Sequence, residues 1–197
     1  MTSTIRCLAT LFPFLFSASS LLAADTFQPG KTDGALPTFV RAEDGARACW
    51  RTEISPSQLA AKPNRMVKSM ALSMQTQVSP PDEDWPQGRT LYNYDLSITF
   101  SDGRSGRALG NCLPDGPDSI ACAVECDGGG AIVSHRDGGA VDLDFSQTSF
   151  IRLNYCGEQG DPIRFRPDVA EARFTLQKRP EEECPAVTMP DWDAGID

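Results

Sequence analysis

Between Gly45 and Pro185 the dominant period of hydrophobic and polar residues is two. Tyr92, Tyr94, Leu96, Ile98 and Phe100 interleave with Asn93, Asp95, Ser97, Thr99 and Ser101. Successive side chains of a strand point to opposite faces, so this run predicts a strand with one apolar and one polar face. The pattern returns in Ile120, Cys122, Val124 and Cys126, and again in Val141, Leu143 and Phe145 with Asp142 and Asp144 opposite. Ile151, Leu153 and Tyr155 follow, then Ile163 and Phe165, then Ala172, Phe174 and Leu176. Ser101-Asp102-Gly103, Asp115-Gly116, Asp127-Gly128-Gly129-Gly130 and Asp137-Gly138-Gly139 punctuate these runs. Asp-Gly between alternating runs is a hairpin signal, because glycine accepts the positive φ of a tight turn.

Met66 to Gln77 fits two periods. Met66, Met70 and Met74 make a helical stripe, whereas Met70, Leu72 and Met74 make a strand face; the surrounding strands favour the second. One helix is expected near residues 56–62. Ser55 and Gln58 form a capping box, Pro56 takes the first helical position and Pro63 stops the run. The expected fold is all-β, a single antiparallel meander closed as a small β-barrel, with a two-sheet β-sandwich as the alternative.

The ends of the chain read differently. Arg6 is the only charge before Asp25, and the apolar run from Leu8 to Phe16 ends in small residues up to Ala24. Residues 1–24 are therefore expected to be a secretory signal peptide, with no transmembrane segment in the mature chain. Residues 25–44, rich in Pro, Gly, Thr and Asp, are expected to be a flexible lead-in; residues 45–185 form the folded domain and residues 186–197 an acidic tail. Losing the leader removes Cys7 and leaves six cysteines. An even number in an exported chain predicts three disulfides, paired Cys49–Cys184, Cys112–Cys122 and Cys126–Cys156. The expected location is periplasmic or secreted, and the leader type with no N-x-S/T pattern suggests a bacterial source.

Charge and chemistry narrow the function without fixing it. The 197 residues hold 27 acidic and 18 basic side chains, a formal net charge of −9. That balance argues against a nucleic-acid partner and leaves the partner open, with a basic protein or a small ligand as the candidates. There is a single histidine, His135. Ser134, His135, Asp142 and Asp144 are the residues an active site would draw on, but their placement reads as a strand end and the wet face of a half-buried strand. A methionine copper site at Met66, Met70 and Met74 and calcium loops at Asp82-Glu83-Asp84, Asp115-Gly116-Pro117-Asp118 and Asp127-Gly128-Gly129 are outweighed by core packing and turn chemistry. The expectation is a non-catalytic exported domain with a binding or envelope-associated role and no cofactor. A carboxylate-dependent hydrolase with a site in the barrel mouth or a sheet cleft is the alternative, recognisable by acids from different strands converging in a deep pocket.

Overall fold

Eight strands close into a barrel. The computed structural model describes Gly30 and residues 32–125, 127–154 and 161–189. The strands are β1 (Arg47–Glu53), β2 (Val67–Ser79), β3 (Arg89–Phe100), β4 (Ser105–Pro114), β5 (Ser119–Ala123), β6 (Gly130–His135), β7 (Val141–Asp144), β8 (Ile151–Leu153), β9 (Ile163–Phe165) and β10 (Arg173–Arg179). The barrel runs β1-β10-β7-β6-β5-β4-β3-β2 and back to β1, every neighbour antiparallel, while β8 and β9 pair only with each other. The meander therefore closes as a barrel and not a sandwich. Residues 151–153 and 163–165, which pattern alone would add to the same sheet, form a separate hairpin.

The period of two decides what lies inside. Met70, Leu72 and Met74 of β2 face Ile98, Leu96 and Tyr94 of β3 in register, and all six are buried. Met66 lies before β2 and is 41% exposed, so the apparent helical methionine stripe does not exist. At strand rise, residues four apart stand about 13 Å from one another, too far to share a metal. Trp50, Val133, Val141, Leu143 and Leu176 complete the interior. The short helix α2 (Pro56–Ala61) forms as its capping box dictates, with the Ser55 side chain accepting from the Gln58 backbone.

Both barrel ends are stoppered. At one end the β8–β9 hairpin folds over, and Phe165 meets Phe145 edge-on at 5.2 Å and Phe100 at 5.8 Å. At the other end, the segment expected as a lead-in contains a helical turn, α1 (Leu36–Phe39), that enters the core. Leu36, Phe39 and Val40 are each 3% exposed. Packed chain replaces a flexible tether here because each large apolar side chain buried gains about 1.5–3 kcal/mol, enough to fix a short run despite its Pro and Gly.

Two disulfides link described residues. Cys49–Cys184 joins β1 to the chain after β10, across 135 residues. Cys112–Cys122 joins opposed residues of β4 and β5, whose Cα atoms are 4.0 Å apart. The expected partners Cys126 and Cys156 lie outside the described residues, as do the expected leader and the chain from residue 190. Beyond Cys184 the chain lies against the barrel wall, with the Arg47 guanidinium donating to the carbonyls of Glu181, Cys184 and Pro185 at 3.3 Å.

Candidate functional site

Strands β3 and β4 part company before β3 ends. Their pairing stops at Asn93↔Asn111, while β3 continues to Arg89 on β2 alone and β4 continues to Pro114 on β5 alone. Backbone direction can be read from neighbouring bonds. The Thr76 N–H and C=O bond to Ala46 and Gly45 on the β1 side. Its partner Tyr92 must then turn its own N–H and C=O away from β2, towards β4. Thr90, two residues earlier, does the same, and its partner Val78 donates away from β3 to Asp44 Oδ1 at 2.9 Å. Among the described residues, the stretch of β3 from Arg89 to Leu91 is thus a strand edge with no strand on its β4 side.

A groove of about 220 Å³ occupies the gap, walled by Thr90, Leu91 and Tyr92 on one side and Asn111, Leu113 and Pro114 on the other. Its lining is mainly apolar, and Leu113 is 66% exposed. Two polar atoms in these walls, Thr90 Oγ1 and Asn111 Oδ1, are buried without a hydrogen-bond partner. The inner side is closed by residues leading to α1: Tyr92 donates its phenol to Asp33 Oδ2 at 2.8 Å, and Gly34 lies against Pro114, where a Cβ would come within 2.9 Å of the proline ring. Burial and the Asp33 carboxylate push the Tyr92 phenol above its ordinary range, so it remains a donor. Around this end stand Asp33, Asp82, Glu83, Asp84, Asp115 and Asp118, while the edge itself begins with Arg89, whose guanidinium lies over the Trp85 ring at 4.7 Å.

The acids and the histidine singled out in the sequence stand apart from this groove and from one another in their contacts. Asp142 and Asp144 point outward from β7. Asp142 accepts from Arg136 at 3.1 Å and Thr175 at 2.5 Å, and Asp144 is held by the Arg173 guanidinium. That arginine, followed by the Ser146 hydrogen bonds, lowers the Asp144 carboxyl to about 2. A lowered pKa means stability present above the unfolded value and lost as pH falls through the folded one. Arg173→Ala should return Asp144 towards 3.8, removing that share of acid resistance; a carbon-detected NMR titration of Asp144 reads it directly. Ser134 and Asp142 are register partners on the outer face, whereas His135, next in sequence, turns to the other face and stacks on Phe39 at 3.9 Å. The three cannot form a triad. A second depression, of about 110 Å³, sets Glu53 and Glu183 beside Arg51 and Arg179, an ion-paired surface and not a dry acid pocket. Among the described residues no group of three metal-ligating side chains converges. Asp95 is fully buried on the outer wall, where Arg107 and the Ser97 hydroxyl hold it.

No family model matches the chain, and no curated protein or solved structure matches it either.

Proposed function

We propose that the protein is an exported, non-catalytic binding module that takes an extended, positively charged segment of a partner protein as an added strand on β3. The observation that carries this reading is the open edge at Thr90, which lies beside a mainly apolar groove with two unpartnered polar atoms in its walls. Main-chain hydrogen bonds supply affinity in strand addition, and pockets for alternate side chains supply selectivity. Leu91 and Leu113 offer apolar contact, and the carboxylates of the neighbouring loops steer a basic segment towards the edge. Two disulfides suit an oxidising compartment, and a barrel filled by side chains leaves binding to its rim.

Thr90→Pro is the informative variant. Its N–H points to the open side, so proline removes the edge donor and leaves the β2 ladder its bonds. Phage-displayed peptides selected on the wild-type protein should enrich Lys and Arg alternating with β-branched residues. The variant, with an unchanged melting temperature, should bind them about five-fold less tightly, the value of one lost hydrogen bond. Selected peptides that bind the two proteins equally would sink the proposal.

A further inference from the structure

The groove beside Thr90 has two faces, and they suit different side chains. Tyr92 and its partner Thr76 are buried in the barrel interior, and Thr90, two residues earlier on the strand, shares that side. Leu91 takes the outer side. So does Leu113, two residues beyond Asn111, whose partner Asn93 stands on the outer wall with Asp95. Among the described residues that line the groove, Asp33 alone is charged, and its bond to the Tyr92 phenol puts it on the inner side.

The Asp33 carboxylate is held in place and still has room for a donor. Oδ2 accepts from Tyr92 at 2.8 Å, whereas Oδ1 has one long contact, 3.5 Å from the neighbouring Thr32 hydroxyl. Among the described residues no cation pairs with it; Lys31 lies outside them. The other charges at this end are engaged elsewhere. Asp44 accepts from the Val78 amide on the far side of β2, Asp115 accepts from the Ser119 hydroxyl at 3.4 Å, and Arg89 lies over Trp85. Thr90 Oγ1, buried and unpartnered, is a further acceptor on the same face as Tyr92.

Directly opposed residues of paired strands project to one face. The residue of an added strand that lies opposite Thr90 therefore points inward. Thr90 and Tyr92 stand about 7 Å apart along the strand, within the reach of a long side chain whose stem can lie on Leu36 while its head meets Asp33. The two flanking residues point outward. One meets Leu91 and Leu113; the other lies opposite Arg89, where a second cation would cost stability.

We propose that Asp33 selects the added strand by taking a Lys or Arg opposite Thr90, flanked on both sides by apolar residues. This rests on the strand-addition reading and assigns its specificity to one carboxylate. The probes are three synthetic peptides with Ser-Thr flanks: one centred on Val-Lys-Val, one on Val-Gln-Val, and one centred on Val-Gln-Val with its Lys moved to the C-terminal end. They are titrated by fluorescence polarisation at physiological ionic strength. The wild-type protein should bind the first at least about ten-fold more tightly than the other two, the value of a charge-assisted hydrogen bond. Asp33→Asn keeps an acceptor for the Tyr92 phenol and should bind all three alike; Asp33→Ser is the second neutral variant, and melting curves show which is folded. Because the preference is a ratio read within each protein, a general loss of affinity does not enter it. Thr90→Pro should weaken all three by a common factor. If Thr90→Pro changes nothing, or no peptide binds the wild-type protein, the strand-addition reading falls and this one with it. If Thr90→Pro weakens binding but the Lys preference is absent, follows the displaced Lys, or survives in the folded neutral variant, the role of Asp33 alone is overturned.

Discussion

Replacing Cys49 and Cys184 together by alanine is expected to lower the unfolding free energy by about 4–5 kcal/mol, the loop-closure value for a bond spanning so much of the chain. The bridge spans 135 residues and ties β1 to the segment that follows β10. It closes the same pair of strands, first and last, whose hydrogen bonds complete the barrel. Without it, the Arg47 contacts to the Glu181, Cys184 and Pro185 carbonyls and the Arg51 and Arg179 contacts to Glu183 must hold that segment, and the cover over Ala71 is lost with the buried cystine. Removing Cys112 and Cys122 in the same way should cost about 3 kcal/mol or less, because the loop is short and the strands stay paired. Urea unfolding of the two double variants, followed by fluorescence, measures the order. A larger loss from the Cys112 and Cys122 variant would contradict it.

Phe39→Ala is expected to cost about 3–5 kcal/mol, the range for truncating a buried aromatic ring. Phe39 is 3% exposed and lies flat on the His135 ring at 3.9 Å. The histidine also meets Thr38 Oγ1 at 2.7 Å. The Thr38 hydroxyl already gives its proton to the Ala35 carbonyl at 2.6 Å, so the His135 Nε2–H is the donor in that contact. Burial, followed by Lys178 against the opposing pull of Asp118, leaves the His135 pKa below its ordinary 6.5. A lowered histidine pKa favours the neutral form in the fold. Its contribution is complete above the unfolded value and is lost as pH falls below it. The α1 stopper should therefore loosen in mild acid, and His135→Gln should flatten that dependence while leaving the barrel folded. Chemical denaturation of Phe39→Ala at neutral pH gives the main result; a cost under 1 kcal/mol would mean that α1 is not part of the core.

The strands were legible because each buries one face. Tyr92 to Phe100, Met70 to Met74 and Val141 to Phe145 follow the period of two closely, and the interior takes the residues that pattern nominates. The helix at Pro56 was legible from its cap, a signal contained in four residues. The α1 turn was not, because four residues of Leu-Pro-Thr-Phe have no period, and their burial depends on a barrel end made by distant strands. The β8–β9 hairpin alternates like any other strand pair; only the direct pairing of β7 with β10 excludes it from the sheet. Asp95 sits at a polar position of its strand and yet is fully buried, because Arg107 reaches it from β4. The groove is the least legible feature, since it consists of a pairing that stops, and side-chain type does not encode where two strands diverge.

Amide hydrogen exchange at Thr90 tests the central claim most directly. Leu91 directs its backbone towards β2 and Thr90 directs its own away from it. In the free protein the Thr90 amide should exchange rapidly and the Leu91 amide slowly. A selected basic peptide should protect Thr90 and leave Leu91 as it was. A Thr90 amide as slow as that of Leu91 in the free protein, or one that stays fast when the peptide is bound, would contradict an open edge that receives a strand.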